Sequence, residues 1–294
     1  MNFVMISIEL SETMALIIVI SGLLLCASSI TTTSSNDFYA VLHGNLSQSD
    51  RNELPKICGR EFLTDTLQSR SAGGVLVREN EYPWVLLLTD PEWTRVCTAV
   101  LISRRHVLTA AHCVTNFPKD RKLEKDCHYT TIQSTYLYVY PRTRVNDALN
   151  IKRYTSSFSV ARVMVHPSFS CSNATGDIAL LELTLNIFTE ASPICMPHFN
   201  ESIPKNAAAA GFGKNPNISN NTRPMQVVNL TYQGTTGDRI MTKTTGRTIC
   251  PGDSGGPLFK TNGTHYVLLG IASTYQKNSC TKTSKCTTRS FLYN

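Results

Sequence analysis

The chain has 294 residues, 41% of them hydrophobic, enough for one large or two small packed domains, and this excludes a disordered tail. Its net charge of +7 does not mark a nucleic-acid binder, because the densest basic stretch, Lys119 to Lys125, is interleaved with Asp120, Glu124 and Asp126 and has the pattern of a solvated loop. Ten cysteines, scattered without paired Cys-x-x-Cys knuckles, favour disulfides in an oxidising compartment over a metal site.

Ala15 to Leu25 is an apolar run of signal-peptide length, followed by the small residues Cys26-Ala27-Ser28-Ser29. It is too short to span a bilayer comfortably, so residues 1–27 are expected to be a cleaved signal, with no stable membrane insertion and a secreted product. Seven Asn-x-Ser/Thr triplets, at Asn45, Asn173, Asn200, Asn217, Asn220, Asn229 and Asn262, fit a glycosylating secretory route. Residues 31–57 are rich in Ser, Thr and Asn with no helical or strand period, and are expected to form a flexible part of a 28–70 propeptide or linker.

From Tyr82 onward the chain becomes a series of short β-branched and apolar runs: WVLLL, CTAVLIS, HVLT, STYLYVY, VARVMV, DIALLEL, MQVVNL and HYVLLGIAS. Turn-prone residues separate them and amphipathic helical pattern is scarce, which predicts an all-β sandwich or barrel pair.

The strongest chemical signal is Gly252-Asp253-Ser254-Gly255-Gly256-Pro257. Glycines flanking a serine permit a tight turn that exposes the hydroxyl and lets backbone N–H groups gather beside it. Such a serine is inert without a base, and a base needs an orienting acid. Thr109-Ala110-Ala111-His112-Cys113 and Asp177-Ile178-Ala179-Leu180-Leu181 offer both. No Asp or Glu follows Ser254, so the Ser, acid, His order of an α/β-hydrolase, and with it an esterase or lipase of that fold, is excluded.

The order His112, Asp177, Ser254 and these three motifs resemble the chymotrypsin/trypsin-like serine endopeptidases. Arg70-Ser71-Ala72-Gly73-Gly74 and Tyr82-Pro83-Trp84 resemble that family's activation junction and first strand. His166-Pro167 resembles its approach to the acid, Gly211-Phe212-Gly213 the start of its second barrel, and Gly270 to Ser273 its substrate-binding strand. The resemblance implies two packed six-stranded antiparallel β-barrels over residues 71–294 and a zymogen cut after Arg70. It implies a catalytic triad of His112, Asp177 and Ser254, and an oxyanion hole from the N–H groups of Gly252 and Ser254. No metal or cofactor is expected. The implied partners are protein or peptide substrates, an activating protease and protein inhibitors.

The same resemblance pairs Cys97 with Cys113, and we expect Cys58 with Cys195, Cys127 with Cys171, and Cys250 with Cys280 or Cys286. Thr248 stands where trypsins carry the aspartate of the specificity pocket, so cleavage after Arg or Lys is not expected. Tyr275 stands at a wall position, usually glycine, near Ser273, and a ring there would favour small or medium apolar side chains. Ser71 replaces the Ile or Val whose freed ammonium pairs with the aspartate before the nucleophile, here Asp253, which implies weak activation. Tyr293-Asn294 lies where the family's C-terminal helix would begin, so that helix is expected to be absent or truncated. These departures leave one alternative, a protease-like binding protein without a competent site.

Overall fold

The computed structural model describes residues 48–61, 75–77, 81–117, 128–141, 157–198, 200–215, 223–244, 249–274 and 287–292. Outside them lie the expected signal and the positions Arg70, Ser71, Cys127, Thr248, Tyr275, Cys280 and Cys286.

Six strands close into a first barrel in the order β2 (Val85–Thr89), β3 (Val96–Leu101), β4 (His106–Thr109), β9 (Ala179–Leu183), β8 (Phe158–Val165) and β7 (Tyr138–Tyr140). β8 shows the alternation of a half-covered strand, with Val160 and Met164 inward. β2, in contrast, is buried along its whole length. Its neighbour Trp84 explains the difference, because this fully buried ring packs against Phe259 and Tyr266 of the second sheet, with centroids 5.9 and 5.1 Å away. One face of β2 fills its own barrel and the other meets the next.

The second sheet has seven strands: β1 (Val75–Leu76), β11 (Gln226–Thr236), β10 (Asn206–Gly211), β13 (Pro257–Thr261), β14 (Tyr266–Thr274), β15 (Thr287–Leu292) and β12 (Arg239–Thr244). The long β11 pairs with β1 at its start and with β12 at its far end, so β10 to β15 follow one another in a circuit. The fold is therefore the all-β, two-barrel arrangement that the sequence resemblance implies. Two short strands, β5 (Thr115–Asn116) and β6 (Thr130–Thr131), form a separate ribbon beside the first barrel.

One expectation is corrected. Part of the segment read as flexible is a helix, α1 (Gln48–Ile57), which buries none of its own side chains and contains Pro55. Its order comes from tertiary ties rather than from an apolar stripe. Cys58 is bonded to Cys195, Glu53 forms an ion pair with Arg104, and Ser192 Oγ donates to the Ile57 carbonyl at 2.9 Å. Among the described residues α1 is the only α-helix, and none is long and apolar enough to cross a membrane.

Candidate active site

Strand register brings the site together from both barrels. Thr109 at the end of β4 pairs with Ala179 at the start of β9, so the residues just after one and just before the other share an end of the barrel. His112, on a 3-10 turn (Ala111–Cys113), and Asp177 are those residues. The second barrel repeats the device, because Pro257 at the start of β13 pairs with Ile271 of β14. Ser254, just before Pro257, and Ser273, just after Ile271, therefore emerge together.

Asp177 is fully buried and grips His112 twice, accepting the backbone N–H on Oδ1 at 2.8 Å and facing Nδ1 with Oδ2 at 2.7 Å. Ser273 Oγ donates to the same Oδ2 at 2.6 Å. A carboxylate beside Nδ1 places the ring proton there, which leaves Nε2 as an acceptor. The His112 side chain is one-third exposed. Behind the turn, Arg95 donates to the carbonyls of His112 and Thr115 at 3.1 and 3.2 Å and to Asn116 Oδ1 at 3.0 Å. The disulfide between Cys97 and Cys113 ties β3 to the same turn.

Ser254 sits on a loop anchored by Thr98 of β3. The Thr98 N–H donates to the Ser254 carbonyl at 2.8 Å, and its Oγ1 donates to the Gly252 carbonyl at 2.7 Å while accepting the Phe212 N–H at 3.0 Å. The loop is packed tightly enough to require glycine at position 255. Its φ is +83°, and a Cβ there would lie 2.2 Å from the Thr98 carbonyl oxygen. Asp253 turns inward, accepting N–H bonds from Gly213 and Cys250, both at 2.7 Å. A Cβ at Gly213 would stand 2.0 Å from Asp253 Oδ2, so only glycine admits the carboxylate. Neither the N–H groups of Gly252 and Ser254 nor Ser254 Oγ has a hydrogen-bond partner among the described residues.

A family model described as Trypsin matches residues 71–294 of this chain. The chain belongs to the trypsin family. Three relatives carry serine protease in their names. It is 31% identical to serine protease SSP1 of Scolopendra subspinipes, over 75% of this chain and 78% of that one. It is 27% identical to a venom serine protease of Polistes dominula, over 70% and 76% of the two chains. It is also 27% identical to a CLIP domain-containing serine protease B4 of Anopheles gambiae, over 74% of this chain but only 64% of the mosquito protein.

Of the positions the sequence singles out, His112, Asp177 and Ser273 are in direct contact, and the loop carrying Gly252, Asp253 and Ser254 packs on Thr98 and beside Cys113, while Thr248, Tyr275, Arg70 and Ser71 lie outside the described residues. The Ser273 hydroxyl proton is committed to Asp177. Cys171 and Cys250 are each disulfide-bonded, and their expected partners, Cys127 and Cys280 or Cys286, lie outside the described residues. Cys97, His112 and Cys113 are close enough to suggest a metal centre, but the first two sulfur ligands such a centre would need are joined in the disulfide. Thr98 and Arg95 escape sequence reading, since neither residue type marks a site and each acts across a long chain separation.

Proposed function

We propose that this chain is a serine endopeptidase that hydrolyses peptide bonds through an acyl-enzyme. The observation that supports the reading is the double grip of buried Asp177 on His112, which holds the ring on a turn whose next residue, Cys113, has its Sγ 3.7 Å from the Ser254 carbonyl oxygen. Ser254 Oγ attacks the scissile carbonyl carbon, and its proton passes to His112 Nε2. The oxyanion is received by the N–H groups of Gly252 and Ser254, and loss of one such donor typically costs about 2.7–4 kcal/mol of transition-state stabilisation. His112 then protonates the leaving amine as the C–N bond breaks. Water, deprotonated by the same ring, attacks the ester and regenerates Ser254 Oγ–H.

The protein is made as a secreted zymogen cut after Arg70 by another protease, and protein inhibitors are its expected regulators. Thr248 in place of an acid directs it away from Arg and Lys, and the Tyr275 ring towards small or medium apolar side chains. A fluorophosphonate probe tests the reading, because only an activated serine is phosphonylated. Labelling at Ser254 of the cleaved protein that disappears in His112→Ala is the expected result. No labelling of correctly folded, cleaved protein would leave it a protease-like binding protein.

A further inference from the structure

Pro251 and Gly252 share one peptide unit, and the structure holds that unit from its carbonyl side. Arg223 Nη1 donates to the Pro251 oxygen at 3.0 Å, and the Lys214 N–H donates to the same oxygen at 2.9 Å. A planar trans peptide sends its N–H opposite to its C=O, so two donors on this oxygen set the direction of the Gly252 N–H. The fit is close. A Cβ on Gly252, whose φ is +106°, would stand 2.6 Å from Arg223 Nη1, so the glycine makes room for the guanidinium as well as for the turn.

Arg223 also faces Asp253. The two oxygens of that carboxylate are taken by the Gly213 and Cys250 N–H groups, and among the described residues no cation stands in ion-pair contact with it. Arg223 is half-buried, and its charge acts on Asp253 from beyond contact distance. Desolvation raises the Asp253 carboxyl and lowers the Arg223 guanidinium, the directions expected of two charges short of water that partly compensate each other.

We propose that Arg223 is a positioning residue for the oxyanion donors, locking the Pro251–Gly252 peptide and offsetting the Asp253 charge already in the chain uncut after Arg70. This rests on the endopeptidase reading for its chemistry but not for its geometry. An internal cation of this kind makes the nucleophile loop less dependent on an ammonium delivered by a freed chain end.

The test compares the full chain, kept uncut by Arg70→Gln, with the same chain carrying Arg223→Ala or Arg223→Lys. Two quantities are measured: saturation kinetics of fluorophosphonate labelling, and hydrogen exchange of the amides in 250–254 and in β9. Arg223→Ala is expected to lower the maximal labelling rate about tenfold to a hundredfold, with half-saturation changed less than about twofold. Arg223→Lys is expected to restore most of that rate, since an ammonium can still donate to Pro251 O. Exchange is expected to quicken in 250–254 and stay unchanged in β9. A maximal rate within about twofold of the parent, or a fall in which β9 exchange rises equally, would overturn the proposal. If the parent chain is not labelled either before or after cleavage, the endopeptidase reading fails by itself. The exchange data then decide alone: quickening confined to 250–254 supports the role of Arg223, and unchanged exchange there removes it.

Discussion

Ser273 and His112 converge on the same oxygen of Asp177, the hydroxyl at 2.6 Å and the ring nitrogen at 2.7 Å. A buried carboxylate oxygen held by a second donor cannot swing, so Ser273 fixes the ring through the acid rather than by touching it. Hydrogen bonds to charged groups contribute about 1.5–3 kcal/mol, and only part of this is felt in turnover. Ser273→Ala is expected to lower kcat about tenfold and leave KM within about twofold. A changed KM with unchanged kcat in steady-state assays would instead place the hydroxyl in substrate binding.

Ser254→Ala and His112→Ala should each lower kcat by about four to six orders of magnitude, and the double substitution should lower it little further, because the two groups share one proton path. Unfolding midpoints should stay close to wild type. Additive losses in the double variant would show that the two act separately.

The disulfide between Cys97 and Cys113 closes a loop with a sequence separation of 16 residues that contains β4 and the His112 turn. Replacing both cysteines with alanine should cost about 3 kcal/mol on the chain-entropy model, measured by denaturant unfolding. Activity should fall further than stability accounts for, since the bond also ties the base to β3. Stability within about 0.5 kcal/mol of wild type would show that the denatured chain gains nothing when the loop opens.

Burial pushes the Asp253 carboxyl up to about 6, outweighing the two N–H bonds and the Arg223 charge that pull it down. The residue keeps some exposed surface, but its carboxylate is enclosed, and desolvation is the larger influence. The folded state therefore holds this proton more tightly than the unfolded chain. The associated stability is fully present below pH about 4 and is lost as pH rises through about 6, a swing on the order of 2–3 kcal/mol. Asp253→Asn should lack that swing, whatever its constant cost from mispairing one N–H donor. Subtracting the variant's unfolding free energy from that of wild type between pH 4 and pH 7 isolates it. A flat difference would mean that Asp253 titrates as in the unfolded chain.

The sequence was most legible where function or burial imposes a contiguous pattern. β2, β3, β4, β9 and β14 coincide with apolar runs, Thr109 of TAAHC pairs with Ala179 of DIALL, and Cys113 lies beside the Ser254 carbonyl of GDSGGP. β10 is not legible because its strand is Asn206-Ala-Ala-Ala-Ala-Gly211, a helix-favouring composition overridden by the barrel, where Ala207, Ala209 and Ala210 are buried. β12 and β15 are rich in Thr, Lys and Arg, and carry too few apolar residues to show an alternation. STYLYVY has a strand-forming composition throughout, but its opening, Ser134–Tyr136, forms a 3-10 turn. Thr98 and Arg223 lay beyond any local pattern, since their partners Gly252 and Pro251 stand 154 and 28 residues away.

The bond from Cys58 to Cys195 spans the expected cleavage point, and α1 is seated on the first barrel by its own ion pair. Severing the backbone anywhere between Cys58 and Val75 therefore releases nothing. A chain cut after Arg70, as proposed above, would be a two-chain molecule whose mass grows only by one water, and whose cut becomes visible on a denaturing gel only after reduction. Its leading piece would stay attached to the barrels as a small covalent subunit after such a cut.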